Sequence, residues 1–280
     1  MGLKLFGPTA LAIFFVIVEF SNAQPAPKVQ LWARWQEHDA ASTRKIDHGV
    51  WNRLLKQFVV THPSGINRVR YQDIRADEQK LFKNYLQTLQ AMPISSYNRR
   101  EQQAYWINLY NAFTVDLIVS RLPVTSIRDI NISPGLLARG PWGAKLLIVE
   151  SEKLSLDDIE HRILRPIWQE ERIHYAINRA SLGAPNLQPV AYTGENTEAL
   201  LAKGAKEYIN HVRGVALAGG KLKVSSIYVW FQEDFGGDAE GLMDHWRNYA
   251  NPVLAAALEK YQGGLSHDYD WRLNGVDPKP

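Results

Sequence analysis

A mainly helical, single-domain α+β fold with a small antiparallel or mixed sheet and a central buried helix is predicted by three observations. Helical spacing of apolar residues recurs along most of the chain. Strand-like alternation is confined to a few short stretches, not interleaved regularly with the helices. One segment near the middle is apolar on every side. With 280 residues, 45% hydrophobic and 22% charged, the chain has globular proportions, which sets aside wholesale disorder and a multi-span membrane protein. A net charge of +3 offers no broad basic surface, so a nucleic-acid partner is not expected. The absence of cysteine removes disulfides, thiolate metal sites and thiol catalysis. Neither a cofactor nor a metal is expected.

The chain opens with Lys4, an apolar stretch from Leu5 to Val18, and Ser21-Asn22-Ala23. This reads as a signal peptide over 1–23 cut after Ala23, and predicts a secreted protein, periplasmic or extracellular. Pro8 and Glu19 leave the run shorter than the ~20 apolar residues of a spanning helix, so no membrane span is expected after cleavage. Residues 24–44 read as a linker with a helix from Val29 to His38, and 45–275 as the globular domain.

Helices are predicted at Val50 to Val60 and at Asp77 to Ala91, the latter stopped by Pro93. Another begins at Ser155, which caps it with Asp158 as the reciprocal acid. It buries Leu156, Ile159, Ile163 and Leu164, and ends at Pro166. Glu195 to His211 and Leu242 to Tyr261 are also helical, the second broken by Pro252. Strands are predicted at Ile66 to Tyr71, Lys145 to Val149 and Ile173 to Asn178. Val215 to Leu217 and Lys221 to Val224 form a hairpin around Gly219-Gly220.

The central helix runs from Asn98 to Leu122. Trp106, Leu109, Tyr110, Phe113 and Leu117 cover one side, and Ile107, Val115, Ile118 and Val119 the other. Asn108 and Asn111 therefore face protein and need hydrogen-bond partners, since an unpaired buried amide costs ~1–3 kcal/mol. They either pin loops to the helix or border a cleft. In the stretch after Arg172, His174 and Asn178 share one face whether the segment is strand or helix. Their separation would be ~13 Å along a strand and ~6 Å on a helix. His174 is thus a candidate general base with Asn178 or Asn108 as orienter, the alternative being a hydrogen-bonded core histidine. Glu160 and His161 point about 100° apart on one helix and suit a polar cluster with Arg165 better than a metal. Asp234 reads as the end of a polar turn and Asp238 as a helix cap.

Five motifs together resemble the family of proteins known as domain of unknown function 547. They are Ala104-Tyr105-Trp106-Ile107-Asn108-Leu109-Tyr110-Asn111-Ala112, then Leu154-Ser155-Leu156-Asp157-Asp158-Ile159-Glu160-His161, then Arg172-Ile173-His174-Tyr175-Ala176. Ser225-Ser226-Ile227 with Trp230 and Asp234-Phe235 follows, and Tyr269-Asp270-Trp271 closes the set. The resemblance runs from Lys45 to Asn274. It implies cysteines where this chain has Arg179 and Ala184, making it an atypical member without a thiol nucleophile. A guanidinium at 179 could instead hold a carboxylate or phosphate. Arg179, Asn111, Ser181, Trp230 and Asp234 are the candidate ligand-binding residues. The expected ligand is a small anion, a peptide or a glycan, held near His174. A cysteine-independent hydrolase or transferase is the alternative.

Overall fold

The computed structural model describes residues 27–136 and 138–276. The expected leader lies outside the described residues. Among those described, helices dominate and the sheets are small, so the fold is α+β and mainly helical.

In chain order the helices are α1 (Gly49–Phe58), α2 (Ala76–Gln90), α3 (Arg99–Val119), α4 (Arg165–Trp168), α5 (Ile173–Ala176), α6 (Thr197–Ile209), α7 (Ser226–Trp230), α8 (Ala239–Tyr249) and α9 (Pro252–Glu259). The strands are β1 (Val59–Val60), β2 (Arg68–Val69), β3 (Leu147–Val149), β4 (Glu152–Leu154), β5 (Val215–Ala218), β6 (Lys221–Ser225) and β7 (Leu265–Asp268). The pairs β1–β2 and β3–β4 are antiparallel. The third sheet is mixed, because β6 pairs antiparallel with β5 and parallel with β7.

Helix α3 is the axis of the larger core. Asn98 caps it, its side chain accepting from Arg100 N and Glu101 N at 3.1 Å each. From Ala104 through Val115 every residue is buried, so both faces are covered by protein. Each large apolar side chain enclosed this way contributes ~1.5–3 kcal/mol. A second core gathers α6, α8 and the mixed sheet, with Tyr208, Tyr228 and Trp246 at its centre. Tyr175 of α5 belongs to that second core while its neighbours Ile173 and Ala176 belong to the first, so α5 joins the two.

Several local expectations change. The helix expected from Val29 shrinks to a 3-10 turn at Ala33–Gln36. Ahead of that turn the chain is extended and donates Gln30 N to His161 O (3.1 Å) and Trp32 N to Arg162 O (3.0 Å). Pro166 does not end the helix begun near Ser155. A π-helical segment, Asp158–Leu164, runs into α4, and Pro166 occupies the first turn of α4, where a missing N–H is tolerated. The alternating stretch 173–178 is not a strand. α5 takes four residues, and Ile177 is extended. No sheet is needed, because Asn111 of α3 donates to Ala176 O (2.8 Å) and accepts from Asn178 N (2.8 Å), serving the backbone as a neighbouring strand would. The Gly219-Gly220 hairpin forms with φ of +56° and +72°, the left-handed pair such a two-residue turn requires.

Candidate functional site

Four helical elements and one loop bring charged side chains together beside α3. The π-helical segment supplies Glu160 and His161, and Arg165 follows at the start of α4. His174 comes from α5, Arg179 from the loop after it, and Asp234 from the 3-10 turn Gln232–Phe235 after α7. The first turn of the π-helical segment is anchored by the predicted reciprocal cap. Asp158 Oδ2 accepts from Ser155 N (2.7 Å) and Ser155 Oγ (2.8 Å), while Ser155 Oγ accepts from Asp158 N (3.2 Å). A wide π turn of this kind is uncommon and recurs at functional positions.

Asp234 is the hub at the outer edge. Its carboxylate receives both arms of Arg165, at 2.6 and 3.0 Å. It also stands 2.6 Å from Nε2 of His174. A carboxylate only accepts, so Nε2 carries the hydrogen and Nδ1 is left with its lone pair. Burial acts to raise the Asp234 carboxyl, but the bonds from His174 and Arg165 outweigh it and hold it well below the usual carboxylate range. Burial lowers the His174 imidazole despite the Asp234 bond, so the ring is neutral at pH 7.

Glu160 is the hub inside. Its side chain is 2% exposed and is paired with Nη2 of Arg179. Tyr110 of α3 donates to its other oxygen at 3.4 Å. Burial opposes the Glu160 charge, and Arg179 together with His161, His174 and Arg165 more than offsets that, so its carboxyl lies below the ordinary value. The ring of Phe231 divides the hubs. It stacks on His174 at 4.2 Å, and the guanidinium groups of Arg165 and Arg179 lie 4.9 and 5.2 Å from its centre.

Two atoms in this cluster lack hydrogen bonds. Nδ1 of His174 is enclosed 3.8 Å from Oε1 of Glu160, and Nη1 of Arg179 is likewise enclosed and unpaired. The His174 ring does not sit at an open mouth, being 1% exposed. Contact with solvent comes at the edge, where the Asp234 side chain is 19% exposed and that of Asp157 37%. Burial around Asp157 and the nearby Glu160 charge push its carboxyl up to about 7.

The other sequence candidates fall in different places. Asn108 donates to Tyr192 O (2.7 Å) and accepts from Tyr192 N (3.0 Å), pinning a loop to α3. Asn111 fixes the end of α5. Asn178 bonds within its own loop, to Pro185 O (2.6 Å) and Ala180 N (2.8 Å), rather than to His174. Ser181 pairs with the Tyr269 hydroxyl at 2.9 Å. Trp230 stacks on Trp271 at 5.7 Å and touches Tyr269 at 4.9 Å. Thus His174, Arg179 and Asp234 come together, whereas Asn108, Asn178, Ser181 and Trp230 serve other contacts. Sequence reasoning passed over the central role of Glu160 and the partition made by Phe231. The signal available for Glu160 was an acid on an otherwise apolar helix face.

The arrangement can hold a neutral histidine in one tautomer and keep two carboxylates ionised beside it. Among the described residues no group of three or more His, Asp or Glu is placed to hold a metal ion. No helix there is long and apolar enough to cross a membrane. No curated protein and no solved structure matches the chain. A family match does exist, over 94–209, inside the longer stretch that carries the sequence motifs. It takes in α3, the π-helical segment, His174 and Arg179, while Asp234 lies beyond it. Residues 94–209 match the model of the family described as protein of unknown function, DUF547.

Proposed function

We propose that this is an exported binding protein, a nucleophile-lacking relative of thiol enzymes, which takes a polar group of its ligand beside His174. One observation carries the reading: Nδ1 of His174 and Nη1 of Arg179 are enclosed and unpaired, and both side chains border Oε1 of Glu160. A buried polar atom without a partner costs ~1–3 kcal/mol, so a guest that satisfies both is favoured. Nδ1 accepts and Nη1 donates. A guest group that suits them offers an O–H and a lone pair together, as a hydroxyl does. The family resemblance implies a cysteine where Arg179 stands. A guanidinium stays protonated and is no nucleophile, so covalent chemistry at that position is closed here. The ligand would enter at the Asp157–Asp234 edge.

The test is a binding screen of cell-wall fragments, peptides and small hydroxy acids by calorimetry. Arg179→Lys keeps a cation for Glu160 but removes the fork, and is expected to abolish binding of any hit while the fold persists. A hit that binds Arg179→Lys and His174→Ala as well as it binds the unaltered protein overturns the reading.

A second reading is favoured by the His174–Asp234 bond. An aspartate that fixes the imidazole tautomer is the arrangement of a general base, and a water on Nδ1 would then be the nucleophile of a cysteine-independent hydrolase. That reading requires turnover of some ester or amide, with a rate that follows one ionisation and vanishes in His174→Ala.

A further inference from the structure

Outside the charged cluster, the segment after β7 borders an open groove of about 500 Å³. That volume falls within the ~300–1,000 Å³ of ordinary ligand sites. Its lining includes the Tyr269–Trp271 pair, Thr125, Ser126, Arg272 and the carboxylates Asp268 and Asp270. We propose that this groove is a binding site for a neutral oligosaccharide, lying against the partly buried Tyr269–Trp271 pair with its hydroxyls bonded to Asp268, Asp270 and Ser126.

The aromatic side is preassembled. Tyr269 and Trp271 touch at 4.6 Å, Trp230 packs on both, and Trp142 meets Trp271 edge-on at 5.6 Å. Such rings offer large, rigid, amphipathic area at little entropic cost, and the C–H faces of pyranose rings suit it. The polar side is preassembled too. Asp129 accepts from Thr125 N, Thr125 Oγ1 and Ser126 N at 2.9–3.0 Å, holding that turn in place. Asp270 is fixed by Arg272 and Asp268 by Lys223, and these bonds hold both carboxyls below their ordinary value. They are ionised at neutral pH and act as acceptors only, which matches hydroxyl donors.

Charge selects among ligands. Asp268 is paired with Lys223 and Asp270 with Arg272, while the guanidinium of Arg128 lies 5.2 Å from the Trp271 ring. Two carboxylates line the groove directly against one guanidinium, that of Arg272, which disfavours a phosphate or carboxylate ligand. The loop after Arg179 pairs with the groove segment through Leu182 N to Arg272 O and Gly183 N to Asp270 O, both 2.8 Å. This site stands on its own lining and does not rest on occupancy of the buried cluster.

The full chain is titrated with cellotriose, maltotriose and tri-N-acetylchitotriose, following tryptophan fluorescence and heat. Inorganic phosphate and trialanine serve as comparison probes. At least one trisaccharide is expected to bind saturably. Trp271→Ala should weaken it by about tenfold or more, equivalent to about 1.4 kcal/mol. Trp271 also packs on the core, so the surface variant Asp268→Ala is measured beside it and should weaken the same sugar severalfold with an unchanged circular dichroism spectrum. The proposal is overturned if none of the three sugars binds saturably below about 10 mM, a weak-binding ceiling. It is equally overturned if both variants bind like the unaltered protein, or if phosphate or trialanine binds better than every sugar.

Discussion

Oδ2 of Asp234 lies 2.6 Å from Nε2 of His174 and 2.6 Å from Nε of Arg165, so one carboxylate oxygen joins two helices 60 and 69 residues away in the chain. It does so at the edge of the core, with the Arg165 side chain 5% exposed. Removing one partner of an enclosed ion pair leaves the other charge uncompensated, which costs more than the pair contributes.

Asp234→Asn keeps the shape and removes the charge. It should lower unfolding free energy by on the order of 3 kcal/mol. Urea denaturation would show this as a reduced midpoint with the same slope. A loss below ~0.5 kcal/mol, the range of an ordinary surface change, would mean that Arg165 and His174 do not depend on this carboxylate.

Acid should weaken the fold through its buried histidines. Burial lowers His48 and His161 to about 4 each. The folded protein thus binds fewer protons than the unfolded chain between pH 6.5 and 4, and stability falls as pH drops through that window. Asp157 acts in the opposite sense. With a folded value of about 7, it is protonated in the folded state where the unfolded chain is ionised, so it favours the fold near pH 4 and loses that contribution as pH rises to 7. Asp157→Asn should therefore stabilise the protein more at pH 8 than at pH 5. Equal effects at both pH values would contradict the assigned ionisation.

Asn108→Ala strips both hydrogen bonds from the backbone of Tyr192. Two enclosed main-chain groups would be left unpaired, for a loss of about 2–4 kcal/mol. Asn111→Ala should cost a similar amount and, unlike Asn108→Ala, should disturb the His174 ring environment, because it frees the end of α5. Imidazole NMR signals of the two variants distinguish the roles.

Gly183→Ala tests the seam between the Arg179 loop and the groove segment. A Cβ there would stand 2.7 Å from the backbone nitrogen of Asp270 and 3.0 Å from its oxygen. Backbone cannot yield as a flexible side chain does, so a cost of about 1–3 kcal/mol is expected. Limited proteolysis should cut near residues 268–272 faster than in the unaltered protein. Unchanged cleavage would show that the seam tolerates the methyl.

The elements legible from sequence are those defined by local chemistry. Asp238 caps where expected, Ser155 and Asp158 pair, Pro252 breaks the last helical stretch and starts α9, and the glycine pair turns the hairpin. The all-round apolar pattern of α3 correctly predicted a central helix with satisfied asparagines. Where tertiary contacts decide, the pattern was mute. The alternation of 173–178 fits a strand as well as a short helix, and amides from α3 settle it. The Arg165–Asp234 pair spans 69 residues and leaves no periodic trace. Phe231 looks like any core aromatic until two guanidinium groups and an imidazole are seen around it.

The seven-residue π-helical segment Asp158–Leu164 has a further consequence. Such a segment amounts to a regular helix with one surplus residue. Loss of a single codon within it would restore ordinary winding and swing the preceding residues by about 100° relative to Arg165. Glu160 would turn away from Arg179, although no side chain in the cluster had been replaced. The charge pairing is therefore written partly in spacing, and a relative one residue shorter here would present the same letters in a different spatial order.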